Sequence, residues 1–186
     1  MVNKLIIVAG CSGSGKTTVA KKIKSAFKKN DAQIICMDRF YKSTYKEMPK
    51  TKRGLPNYDH PDSFDWPLLK QVLNSLLDGK STYVPSYNYK KHCRRNKLEL
   101  IKPTKIIIFE GFLALYDETF NKLAELKVYV DTSMDECFIR RLHRDQIERA
   151  RNVESIIRQW NDSVKPMYDL YVKPRRWVSD FLIPWD

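Results

Sequence analysis

Nine residues near the N-terminus, Gly10-Cys11-Ser12-Gly13-Ser14-Gly15-Lys16-Thr17-Thr18, have the types and spacing needed to grip a polyphosphate. They fit G-x-x-x-x-G-K-[ST], with Gly10, Gly15, Lys16 and Thr17 at the fixed places. In that pattern the backbone N–H groups of the turn, through Ser12, Gly13, Ser14 and on to Thr18, form a nest for phosphate oxygens. Lys16 reaches the β- and γ-phosphates, and the Thr17 hydroxyl binds Mg²⁺. The chemistry implied is binding of a nucleoside triphosphate. Two acids stand where such a ligand would react. Asp38 closes an apolar run and can accept a proton from an attacking hydroxyl or hold Mg²⁺; an N-cap or loop salt bridge fits the position equally well. Glu110 closes a second apolar run, where a carboxylate approaches Mg²⁺ in nucleotide-binding proteins of this kind. Five arginines fall within twelve residues: Arg140, Arg141, Arg144, Arg149 and Arg151. Their planar forks suit phosphate oxygens, and a mobile segment over about 140–152 could close on a triphosphate as a lid. The competing reading pairs them with Asp145 and Glu148 as surface salt bridges.

The elements that must position these groups read as an alternation of short strands and helices. Residues 5–9 are a β-branched buried strand leading into the glycine-rich turn, and 19–27 have the pattern of a helix. Residues 33–37 form a second strand ending at Asp38, outside the carboxyl end of a parallel sheet, where ligands bind. A long loop over 42–61, with Pro49, Gly54, Pro56 and Pro61, delivers the polar cluster Asn57-Tyr58-Asp59-His60-Pro61-Asp62. Helical spacing of Leu68, Leu69, Val72, Leu73, Leu76 and Leu77 predicts a helix behind Asp62, Ser63 or Asp65, closed by Gly79. Alternation over 82–89 and 97–101 predicts an antiparallel hairpin inserted at about 81–103, with Tyr87, Tyr89 and His92 projecting from it. A planar base could stack there. Strands at 105–111, 126–131 and 181–183 complete the sheet. Ser133 to Glu136 reads as a capping box, and a helix over 153–171 is expected to kink or break at Pro166. The fold class is α/β in a single domain, 1–186.

Composition narrows the classes. A 42% hydrophobic, 30% charged chain is globular, and no apolar run approaches the roughly 20 residues of a membrane span. The first strand begins so early that no signal peptide is expected, and Cys11, Cys36, Cys93 and Cys137 are scattered without a Cys-x-x-Cys pair. Reduced thiols and a cytoplasmic location are expected. The net charge of +12 suits nucleic acid or a polyphosphate site with a wet lysine-rich surface, and alone favours neither.

The order of motifs resembles the uridine kinase (uridine–cytidine kinase) family along nearly the whole chain. The resemblance is carried by 10–18, Met37-Asp-Arg-Phe-Tyr41, Asn57-Tyr-Asp-His-Pro-Asp-Ser-Phe-Asp65, Phe109-Glu-Gly-Phe-Leu-Ala114 and Arg140-Arg-Leu-His-Arg-Asp145. It implies a P-loop kinase fold, with a five-stranded parallel sheet in the order 2-3-1-4-5. The implied activity is γ-phosphoryl transfer from ATP or GTP, with Mg²⁺, to the 5′-hydroxyl of uridine or cytidine. By the same resemblance Asp38 is the general base with Tyr41 beside it. Asp59 and Arg141 hold the ribose hydroxyls, and Tyr87, Tyr89 and His92 contact the base. Glu110 and Thr17 partner Mg²⁺, Arg144 and Arg149 meet phosphates, and Arg151 and Gln159 lie near the nucleoside. Tyr89, Ala150 and Trp160 depart from the family's usual Phe, Gly and Tyr. Small-molecule partners are implied, with no nucleic acid and no membrane, and a homo-oligomer is allowed. Two other readings remain: a P-loop kinase for another small alcohol, which the hairpin aromatics and Asp-His-Pro-Asp argue against, and a basic nucleic-acid-binding NTPase, which lacks a recognisable nucleic-acid module.

Overall fold

Leu5, Ile7 and Val8 are wholly buried because the strand they build, β1 (Lys4–Gly10), lies in the middle of a sheet covered on both faces. The computed structural model describes residues 3–88 and 93–185. The sheet contains β2 (Ala32–Cys36), β5 (Ile106–Gly111), β1, β6 (Ala124–Asp131) and β7 (Phe181–Pro184), in that spatial order, every pairing parallel. Counted along the sheet strands alone, the order is 2-3-1-4-5, as the resemblance implies. Alternate residues supply the two core layers. Leu5, Ile7, Ile35, Ile107, Phe109 and Tyr129 join Leu69, Leu73 and Leu76 of α2 (Trp66–Leu77). Ile6, Val8, Ile108, Val128 and Val130 join Val19 and Ala20 of α1 (Lys16–Ser25). Each buried Val, Leu, Ile or Phe among them contributes about 1.5–3 kcal/mol by leaving water, so the sheet is a stiff floor under the site.

Local chemistry fixes the flanking elements. Of three candidate caps for α2, Asp65 is the one used; its carboxylate accepts the Leu68 N–H at 3.1 Å. Gly79 follows the helix with φ +77°, a left-handed turn that suits glycine. The short α3 (Glu118–Leu123) precedes β6, and α4 (Met134–Ile147) starts at Ser133, whose hydroxyl accepts the Glu136 N–H. Beyond α5 (Val153–Gln159) the chain does not break at Pro166. It continues as π turns over Trp160–Val164 and Tyr168–Val172, joined by an α turn at Lys165–Met167. The wider turns accommodate a ring that has no N–H to donate.

The hairpin forms a separate two-stranded sheet of β3 (Thr82–Asn88) and β4 (Cys93–Ile101). Its second strand begins four residues before the expected 97, because the basic stretch itself pairs: Tyr87 faces Arg94 and Asn88 faces Cys93. Two arginines fasten it to the 3₁₀ turn Met37–Phe40 directly after β2. Arg39 Nε donates to the Pro85 carbonyl at 2.7 Å and its Nη2 meets Glu99 at 2.6 Å. Arg94 Nη2 donates to the Phe40 carbonyl and to Asp65, both at 3.1 Å. Tyr89 and His92 lie outside the described residues.

Candidate active site

The carboxyl ends of β1, β2 and β5 open onto a cavity of about 1120 Å³, room for more than one small ligand. At one end is the glycine-rich turn. Gly13 and Gly15 both have φ +89°, and a Cβ on Gly13 would collide with the Cys137 carbonyl, so the turn lies flat against α4. Gly15 is the N-cap of α1 with no side-chain cap, leaving the first N–H groups of the helix, with no acid in its first turn, for an anion. Ser12, Gly13, Gly15, Lys16, Thr17 and Thr18 line the cavity. Lys16 Nζ donates to the Cys11 carbonyl at 3.3 Å.

Glu110 lies across from Thr17, whose hydroxyl donates to its Oε1 at 3.3 Å. The other oxygen, Oε2, is buried without a hydrogen-bond partner. Burial pushes the Glu110 carboxyl up from its usual range, with Lys16 opposing. An anionic, half-satisfied carboxylate beside a hydroxyl fits a hard cation. Asp38, from the 3₁₀ turn after β2, lines the same cavity and acts electrostatically on Glu110 and, at the other end, on Tyr41, Asp59 and Tyr87.

That other end is aromatic. Tyr41 stacks on Phe64 with ring centres 4.4 Å apart, and Tyr87 lies 5.1 Å from Tyr41. Burial pushes the phenols of Tyr41 and Tyr87 up, so both stay protonated donors. Asp59 is buried beside them. Burial raises its carboxyl too, against Arg141 and a hydrogen bond from the Ser163 hydroxyl, which is shared with Asn57 Oδ1. The first π turn is what carries Ser163 here.

Arg141, Arg144, Arg149 and Arg151 close the cavity. Arg141 donates to the Ser12 hydroxyl at 2.7 Å and to Gln159 Oε1 at 2.9 Å, where Arg151 also donates. The surface-salt-bridge reading of this cluster fails in one respect: Asp145 is completely buried, and four of the arginines converge on it. Arg140 parts from the cluster, bonding Glu136 at 2.7 Å and the Trp185 carbonyl at 2.8 Å. Ala150 has φ +53°, which explains why a glycine suits that position in the family it resembles. Most of the expected groups thus line one cavity; Gly10 and the buried Ser14 do not line it, and Tyr89 and His92 lie outside the described residues. Sequence reasoning did not find Arg39, Arg94, Asn57 and Ser163 as supports, nor Asp145 as a hub; the Arg141–Asp145–Arg149 spacing at i, i+4 was the available signal.

A parallel sheet in this order, with a phosphate nest after its central strand, defines a P-loop kinase, a phosphotransferase taking its phosphoryl group from a nucleotide. The chain belongs to the Phosphoribulokinase / Uridine kinase family, whose model matches residues 5–185. It is 43% identical to the uridine kinase of Ureaplasma urealyticum over 98% of this chain and 88% of that one. It is also 43% identical to the uridine kinase of Lactobacillus helveticus, over 97% and 85%. Phosphoribulokinase from Rhodobacter spheroides shares the fold with a TM-score of 0.66 at 14% identity, over 98% of this chain and 70% of that one. No helix among the described residues is long and apolar enough to cross a membrane.

Proposed function

We propose that this chain transfers the γ-phosphoryl group of ATP or GTP to the 5′-hydroxyl of uridine, cytidine or both. One observation carries the reading: a phosphate nest and an aromatic, carboxylate-bearing pocket share one cavity, with Asp38 acting on both ends of it. In this reading Lys16 and Arg144 stabilise charge on the transferring group, with Arg149 on the donor phosphates, while Asp38 accepts the 5′-hydroxyl proton. Asp59 and Arg141 hold the ribose hydroxyls, Arg151 and Gln159 close over the nucleoside, and Tyr41 and Tyr87 wall its ring, with Tyr89 and His92 beyond. The hairpin is then the nucleoside-binding insertion and residues 140–152 the lid.

Mg²⁺ would be held by Thr17, Glu110 and Asp38 and would neutralise phosphate charge. The orphaned Glu110 Oε2 supports that assignment. Four cysteines with no disulfide among the described residues are consistent with the reducing cytoplasm. The test is product analysis with uridine, cytidine, their deoxy forms and unrelated small alcohols, each with ATP or GTP. Pyrimidine ribonucleosides are expected to be converted fastest; conversion of another alcohol alone would overturn the proposal.

A further inference from the structure

Asp145 is fully buried on α4, yet it is charged: burial alone would raise its carboxyl, and Arg141, Arg144 and Arg149 together hold it below the usual range. Its two oxygens sort the arginines by function. Oδ1 accepts from Arg144 at 3.0 and 2.8 Å and lies 3.4 Å from Arg149 Nη1. These are the two arginines assigned above to the donor phosphates. Oδ2 lies 3.3 Å from Arg151 Nη1 and 3.7 Å from Arg141 Nε, the two assigned to the nucleoside. The acceptor-side pair meets again at Gln159 Oε1. Four guanidinium groups around one carboxylate leave a local charge of +3, by four minus one. In a buried place such a cluster repels itself unless something fixes it.

We infer that Asp145 is a positioning residue that couples the donor and acceptor halves of the site through its two oxygens. The inference rests on the nucleoside kinase reading given above. An arriving polyphosphate satisfies Arg144 and Arg149 and releases their claim on Oδ1. The carboxylate's charge then falls more fully on Arg141 and Arg151, firming the fork that faces the nucleoside. Donor binding therefore tightens nucleoside binding, and by thermodynamic linkage the nucleoside tightens the donor by the same factor.

The test is calorimetric titration of uridine with and without a saturating non-hydrolysable ATP analogue, in wild type and Asp145→Asn. The amide keeps the shape and one acceptor oxygen but turns an N–H₂ toward one arginine pair, so it serves one half only. In wild type the analogue should tighten uridine binding by at least about fivefold, within the usual range of coupling. In Asp145→Asn that factor should fall to within twofold of unity. General damage would weaken binding equally with and without the analogue and leave the factor intact, so the ratio separates coupling from a structural role. If the single variant does not fold, Asp145→Asn with Arg151→Gln restores the local charge of +3 and should lose the factor as well. A wild-type factor of one, or a factor surviving substitution, would overturn the inference and leave the kinase reading standing. Wild-type protein that binds the analogue but neither uridine nor cytidine would overturn the kinase reading first.

Discussion

Lys16 begins a helix at the cavity and packs no core, so Lys16→Ala should fold normally and lose nearly all turnover. Retained activity at an unchanged melting temperature would contradict its role. Asp38→Asn should lower kcat by about 10² to 10⁴ with little change in nucleoside KM, since the amide keeps the shape but takes no proton. Steady-state kinetics decides, and a collapse in affinity with turnover preserved would make Asp38 a binding group. Glu110 gives the opposite kind of prediction. Its folded pKa is raised by burial, so as pH rises the unfolded chain loses this proton first, near its ordinary value of about 4.3. Stability falls through that window and stays lower at neutral pH. Glu110→Gln should therefore be inactive yet more stable at pH 7 by about 1 kcal/mol, or roughly 2–4 °C in Tm for a chain of this length. The gain should vanish below about pH 4, and equal melting at both pH values would count against a strained Glu110. Residues of this kind were legible in the sequence when their chemistry is local. Lys16, Thr17 and Glu110 sit in short motifs whose backbone context repeats. Asp145 and Ser163 were not, because a carboxylate's burial and a π turn's phase depend on distant packing.

In the proposed function the hairpin is the element on which acceptor binding depends, and Arg39 and Arg94 help to fasten it. Arg94→Ala removes donors to both the Phe40 carbonyl and Asp65, two contacts that keep Tyr87 against Tyr41. Nucleoside KM should rise about tenfold, the order expected for losing charge-assisted bonds, while donor KM moves less than twofold. Paired titrations read this directly, and equal loss on both axes would mean that the whole fold had loosened. The segment proposed as the lid carries its own test. Ala150 is held at φ +53°, so Ala150→Gly should relieve roughly 1 kcal/mol of backbone strain and raise the melting temperature; an unchanged or lower one would mean the turn is not strained. Element existence was readable from period and caps, as with α2 and α4. The early start of the hairpin's second strand and the π turns around Pro166, in a helix expected to run to 171, were not legible for one reason: both are set by pairing or packing partners that local propensity does not contain.

At the scale of the molecule, the sheet order 2-3-1-4-5 is the one the family resemblance implied, and nothing in strand count or loop position alone dictates it. The net charge of +12 was the least informative number in the sequence. The structure divides it between lysines such as Lys22, Lys28 and Lys29, exposed to water, and the basic groups gathered at the cavity, Lys16 and Lys21 with the arginines. That division favours a polyphosphate site over a nucleic-acid surface. The most direct measurement follows the phosphoryl group itself. Purified protein is given γ-labelled ATP, Mg²⁺ and uridine or cytidine, and the labelled products are resolved. Label should appear in the nucleoside 5′-monophosphate, one for each ADP released, and should vanish with Lys16→Ala. Label found only in inorganic phosphate, with the nucleoside recovered unchanged, would contradict the assignment of this cavity to nucleoside phosphorylation.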